Sequence, residues 1–294
     1  MPSPRVRPTP LVLLLVAALG LVLPTLGQAP ATGADVPGPD GGGRDAAARI
    51  GLFAALDGYA LPRADRVDGA PVRVRPETYA AYRLDVAGLA RQLAGAAPGA
   101  RSVRVQVPGP DGAARTLSVV EDPVLQAGLQ AAHPEIRTYA GHVVGDPRST
   151  VRLDVTPLGF HASVRGPEGA WSVDPAVDAP GETTHVVYDR AALPGEEELH
   201  RVAEGLIRAA TPGRASGLPA AARTAPGALV QRRTFRLALV TDPAYARYFG
   251  TGGQPADPDV VLAQKAVLLN RVNQIYNDDL AIHMVLVDGS EALN

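Results

Sequence analysis

Between Val103 and Asp174, apolar and polar positions alternate with a period of two in short runs separated by Gly/Pro turns. The stretch SVRVQV puts Val103, Val105 and Val107 on one face, and the turn PGPDG (Pro108–Gly112) sends the chain back through TLSVV. IRTYAGHVV, VRLDV, FHASV and AWSVD then succeed one another across GDPRST, TPLG and GPEG. Half-polar alternation with such short turns predicts an antiparallel sheet with one wetter face. Helical spacing interrupts it twice. VAGLARQLA (Val86–Ala94) repeats apolar residues every third or fourth position, and DPVLQAGLQAA offers Asp122 as N-cap with Pro123 at the first helical position. His133-Pro134 should end that second helix. From Arg233 the texture changes. RTFRLALV (Arg233–Val240) is nearly continuous in apolar residues and predicts a strand buried on both faces. A long helix follows, with Asp257 as N-cap, Pro258 at N1 and a stripe of Leu262, Ala266, Leu269, Val272 and Tyr276. LAIHMVLV (Leu280–Val287) reads as a second buried strand, parallel to the first.

These patterns divide the chain. Residues 50–190 form a β-rich α+β domain whose hairpins should close their sheet locally. Residues 191–231 hold a charged helix, GEEELHRVAEGLIRAA, and the linker-like TPGRASGLPAAARTAPGA. Residues 232–294 form one strand-helix-strand unit, too small to bury its own apolar faces. No repeat at solenoid periods is present.

Composition narrows the function classes. The 294 residues are 46% hydrophobic and 20% charged with a formal net charge of −2, which is globular and gives no electrostatic footprint for nucleic acid or an anionic membrane. Cysteine is absent, so neither a disulfide nor a thiolate ligand is available. Arg5 and Arg7 precede the uncharged run Leu11–Leu23, and Ala29 and Ala31 supply the small-x-small pattern of a signal-peptidase site. Residues 1–31 therefore read as a cleaved secretory signal, too short in its apolar run to span a bilayer comfortably, and 32–49 as a flexible leader. The mature protein is expected outside the cell with no stable membrane association.

Motifs for chemistry are missing. No histidine is followed by glutamate, so H-E-x-x-H is absent, and GRASG (Gly213–Gly217) has its serine in the wrong place for a nucleophile elbow. Lys265 follows Gln264, which rules out a Walker A loop. GTGG (Gly250–Gly253) lacks a third glycine, Pro255 stands nearby, and about 16 residues separate the strand from the helix, where a phosphate cradle needs the helix to follow the strand almost directly. Glu197, His200 and Glu204 share a helical face, but a di-metal bundle needs a second such motif. His133, His142, His161 and His185 have no metal-type spacing, and His283 reads as a satisfied, partly buried residue in a strand. No catalytic and no metal-binding residue is assigned. Arg232-Arg233 and Arg223, at the end of the linker and within it, are the candidate processing sites besides Ala31.

RTFRLALVTDPAYARYFG followed by LLNRVNQIYNDDLAIHMVLVDGSEAL resembles the opening of the catalytic domain of reprolysin-like (adamalysin-type) zinc metallopeptidases, of the metzincin class. The shared pattern is V-N-x-x-Y, a short turn, L-x-I, an apolar strand ending L-V, and an acid, here Glu291, before an apolar residue. Upstream, PEI-x-T-Y-x-G, DP-x-x-x-V-R and TPLGFHA within residues 133–175 are similar to the propeptide of secreted bacterial members. The resemblance implies an antiparallel β-rich propeptide domain followed by the first β-α-β unit of an α/β catalytic domain. It implies that the helix bearing H-E-x-x-H-x-x-G-x-x-H, with its zinc, lies beyond Asn294, so this chain binds no cofactor itself. Polypeptides would be the substrates of the complete protein, and the propeptide would pack on its own catalytic domain. With no propeptide cysteine to hold zinc, latency would be steric. Arg236 stands where several members carry a calcium-binding Glu, so that site does not carry over. The alternative expectation is a secreted, non-enzymatic binding or inhibitory module built on the β-rich domain.

Overall fold

A computed structural model describes residues 49–99, 101–195, 231–252 and 254–293. In chain order the strands of the first part are β1 (Arg49–Ile50), β2 (Phe53–Ala55), β3 (Arg66–Val67), β4 (Ala70–Pro71), β5 (Ala80–Leu84), β6 (Val103–Pro108) and β7 (Ala114–Glu121). β8 (Arg137–Val143), β9 (Asp146–Thr156), β10 (Gly159–Gly166), β11 (Gly169–Pro175) and β12 (Thr184–Asp189) follow. Helix α1 (Val86–Leu93) lies between β5 and β6, and α2 (Ala127–Ala132) between β7 and β8. The second part contains β13 (Arg233–Leu237), α3 (Pro243–Phe249), α4 (Pro258–Leu280) and β14 (Ile282–Leu286).

Ten strands make one antiparallel sheet in the order β1-β2-β5-β12-β11-β10-β9-β8-β7-β6. The period-two pattern explains its register, for the runs read from the sequence pair hairpin by hairpin, with Val164 opposite Val151 and Trp171. The sheet curls until its outer edges nearly meet. Gly51, in the left-handed region at φ +58°, lies so close to β6 that a side chain there would start 3.1 Å from the Gln106 carbonyl oxygen. Inside this nearly closed barrel, Leu117, Val119, Leu153, Phe160, Val173 and Val187 meet Leu89 and Leu93 of α1. α1 starts where the sequence placed it, with Asp85 capping the Gly88 amide at 2.8 Å.

The second part is not a free-standing appendage. β13 and β14 pair in parallel, as their spacing across a helix requires, and β14 pairs on its other side with the extended segment Val124–Gln126 of the first part. Leu286 donates to Val124 and accepts from Gln126 at 2.7 and 2.9 Å. One apolar cluster joins Val124, Leu125, Leu129, Ile136 and Leu158 to Leu262, Ala266, Leu269, Met284 and Leu286. All described residues belong to a single compact unit.

Two local expectations need correction. Asp122 is not a helix cap: α2 begins at Ala127 after Gln126, because the residues between them are drawn out straight against β14. In place of the absent cap, Asp288 from the end of β14 accepts the Leu129 amide at 2.7 Å. β13 is not buried on both faces. Residues Arg233 to Arg236 are exposed, Phe235 at 40%, since β13 has a strand on one side only among the described residues. Pro243–Phe249, to which no element was assigned from sequence, is a helix, capped by Asp242 on the Tyr245 amide at 2.8 Å. Of the charged helix and linker expected over 191–231, residues 196–230 lie outside the described residues, as do residues 1–48 of the signal and leader expected over 1–31 and 32–49.

Candidate functional site

The alternation that fills the barrel with valine and leucine turns the other residues of the same strands outward. Across β9, β10, β11 and β12 this outer face carries the row Arg152, Ser163, Ser172, Tyr188 and the row Asp154, His161, Asp174, Val186. Such a face normally meets water. Here it is buried, with His161 and Asp174 fully covered and Asp154 at 1% exposure, because α4 lies across its β9 and β10 side and reaches Asp174 through Arg271, while Tyr59, Leu61, Val74 and Tyr79 pack on Val186 and Tyr188 of β12. α4 meets it with polar residues one turn apart, and the two surfaces form a seam of hydrogen bonds and ion pairs.

At the centre, the Asn270 amide donates to the Leu153 carbonyl at 3.0 Å and to Asp154 at 3.1 Å, and Asp154 in turn receives the His161 Nδ1 proton at 2.7 Å. One turn on, Gln274 accepts from the Ser163 hydroxyl at 2.7 Å and donates to the carbonyls of Thr150 and Ser163. At the end of the helix, Asp278 accepts from Thr150 at 2.8 Å and Arg165 at 3.2 Å. On the other flank Asp174 accepts hydrogen bonds from Arg271 of α4 and from the Tyr188 hydroxyl at 2.6 Å, and forms an ion pair with Arg73 at 3.7 Å. Arg73 also reaches Asp178 at 2.5 Å and Gln264 at 3.1 Å. Burial by itself would raise the Asp174 pKa, but the Arg271 and Arg73 guanidinium groups outweigh it and hold the carboxyl below its usual range. Burial and the neighbouring Asp174 carboxylate push the Tyr188 phenol well above its ordinary value.

A second charged hub sits where the two parts of the chain meet. Asp122 accepts from Arg152 at 2.6 Å and from Arg232 at 3.3 Å, and its Oδ2 lies 3.7 Å from Nδ1 of His283 in β14. Burial again favours the neutral acid, and Arg152, His283 and Arg232 overcome that to keep Asp122 below its usual pKa. His283 gives its Nε2 proton to the Pro123 carbonyl at 3.2 Å, and its own pKa is lowered chiefly by burial. At a third contact Arg66 of β3 donates to the Tyr248 carbonyl at 2.9 Å and to the Gly250 carbonyl, satisfying oxygens that the end of α3 leaves free.

Asn273, the asparagine of V-N-x-x-Y, binds α4 to its own strand. Its side chain donates to the Met284 carbonyl and accepts from the Met284 amide, each at 2.8 Å. Lys265, the only lysine, is fully buried, donates to the Leu293 carbonyl at 3.1 Å, and is pulled down to about 8 by burial.

The His161–Asp154 pair has the form of a base and its orienting acid, yet His161 has no solvent access and its Nε2 meets no polar partner. Among the described residues no three His, Asp or Glu side chains converge as metal ligands. Of the processing candidates, Ala31 and Arg223 lie outside the described residues. Arg232 is half-exposed against Asp122, while Arg233 opens β13 with its amide on the Ala281 carbonyl at 2.8 Å. The seam residues Arg73, Asp154, Asp174, Asn270, Arg271 and Gln274 were not singled out from sequence, and Asp122 was read only as a helix cap. The available signal was the i, i+4 pair Asn270 and Gln274, polar positions bordering an apolar stripe.

No helix among the described residues is long and apolar enough to cross a membrane. Compared with known proteins, the chain matches no family model and no curated protein.

Proposed function

We propose that this chain is the N-terminal portion of an exported zinc metalloendopeptidase precursor of the reprolysin-like type. The barrel is its propeptide domain, and β13 to β14 open its catalytic domain. The observation that carries this reading is the parallel β13–α4–β14 unit in which the asparagine of V-N-x-x-Y bridges helix and strand through Met284. That gives a physical reason for one motif residue on which the resemblance rests. Among the described residues β13 has a strand on one side only and leaves Phe235 exposed, which supports the reading further, since a strand with this apolar content suits a neighbour on each side. In this reading zinc would be held by residues following Asn294, the full protein would hydrolyse peptide bonds in polypeptide substrates, and the barrel would act by steric contact with its own catalytic domain.

The test is the reading frame after codon 294. An H-E-x-x-H within roughly the next hundred codons is expected. The protein expressed from that frame should cleave casein in a chelator-sensitive manner that a Glu→Ala change in the motif abolishes. A stop codon with no such motif, or cleavage indifferent to chelators, overturns the reading. The second reading, a non-enzymatic binding module, is favoured by one feature, a cavity of about 550 Å3 lined by Val143, Val164 and Trp171 together with Arg148, Glu168 and Asp189.

A further inference from the structure

The outer face of β9 to β12 is too polar to be an ordinary protein core and too thoroughly paired to be a surface. Every charged side chain on it that α4 covers has a partner: Asp154 has Asn270 and His161, Asp174 has Arg271, Arg73 and Tyr188, and Arg152 has Asp122. The covering helix answers with four polar residues on one side, Asn270, Arg271, Gln274 and Asp278. Flanking this seam are features of a different kind. The apolar cluster of Val124, Leu125, Leu129, Ile136 and Leu158 is closed by Leu262, Ala266, Leu269, Met284 and Leu286 of the second part, and Val124–Gln126 completes the edge of β14 by backbone pairing. Asp288 caps α2 across the same boundary, and its own amide donates to the Gln126 side chain at 3.0 Å. An apolar centre, a strand added to an edge and a set of satisfied charged pairs are what a specific, long-lived protein interface contains.

We infer that residues 49–195 form a receptor for the helix and strand of residues 231–293, and that the two parts remain a non-covalent complex once the backbone between them is cut. Cleavage between 196 and 230 is then not the step that separates them. The tether only raises the local concentration of one part around the other, and an interface with this much shared core does not need it. Affinity comes from the apolar cluster and the strand pairing. The polar seam sets which helix is accepted, because a helix without Asn270, Arg271 and Gln274 would leave Asp154, Asp174 and Ser163 buried and short of partners. This inference does not depend on the protease reading and holds equally for a binding module.

The experiment uses the full mature chain with a recognition site for a sequence-specific protease placed between residues 205 and 215. After complete cutting, size-exclusion chromatography at pH 7.5, in 0.15 M and 1 M NaCl, should give one peak containing both fragments, with Trp171 fluorescence unchanged. Asp278→Ala, which removes partners of Thr150 and Arg165 at the seam's exposed end, should raise the dissociation rate of the cut complex about tenfold while leaving the uncut chain folded. Fragments that separate at neutral pH in either salt, whether or not the barrel keeps its fluorescence, overturn the inference. So does an Asp278→Ala complex that dissociates as slowly as the parent.

Discussion

Single residues in this protein act through burial more than through exposure to solvent. His185 shows this most plainly. Its ring is fully buried in the barrel beside Phe160, with Nδ1 on the Thr183 carbonyl at 3.0 Å, and burial pulls its pKa from 6.5 to about 4. An imidazole whose pKa falls on folding takes up its proton more readily in the unfolded chain. The folded state is therefore fully favoured above pH 6.5 and loses that advantage as pH drops towards 4. At about 1.4 kcal/mol per pH unit, the loss from His185 is about 3 kcal/mol. His283, also lowered by burial, adds loss in the same direction. Urea unfolding followed by Trp171 fluorescence should show this fall between pH 7 and 4.5, and His185→Asn, which can keep the bond to Thr183, should remove most of it. An unchanged slope in the variant would place the acid sensitivity elsewhere. Asn273 makes the second case. Alanine there leaves the Met284 amide and carbonyl without their side-chain partner in a buried setting, at a cost of about 3 kcal/mol. Chemical denaturation should register it. A loss under about 0.5 kcal/mol would mean that water or a neighbour replaces the amide.

Elements were legible in the sequence in proportion to how local their causes are. α4 was readable from both its cap, Asp257-Pro258, and its apolar stripe, and the β6–β7 hairpin from its turn, because a few neighbouring residues decide each. α2 was misplaced because Asp122-Pro123 looks like a helix start, whereas backbone pairing with a strand about 160 residues away in sequence keeps Val124 and Leu125 extended. β13 looked buried because its composition reports what neighbours it suits and not which ones lie beside it. The polar seam was hidden for the same reason. Period-two alternation marked one face of β9 to β11 as polar, but nothing local shows that a distant helix covers it. The distant cap on α2 yields a test at this scale. Asp288→Ala removes the acceptor of the Leu129 amide and should lower stability by about 1 kcal/mol, with faster exchange of the Leu129 amide while the β9 and β10 amides keep their protection. Unchanged exchange at Leu129 would show that the cap is dispensable.

At the scale of the whole molecule, the barrel and the strand-helix-strand unit are joined by a core and a charged seam, so local closure of the hairpins is only part of what stabilises the first domain. Without residues 231–293 the barrel would expose Val124, Leu125, Leu129 and Leu158 together with an outer face built to be paired. The proposed propeptide role gains its physical content here, since a domain that closes around the first helix and strand of another can organise it before the rest is in place. The measurement that tests this most directly is native-state hydrogen exchange of the intact chain at pH 7 over increasing sub-denaturing urea. The account predicts that the amides of α4 and β14 and those of β9 to β11 converge on one opening free energy, as a single cooperative unit does. Exchange of α4 and β14 through a low-energy local opening, with the sheet still protected, would contradict it.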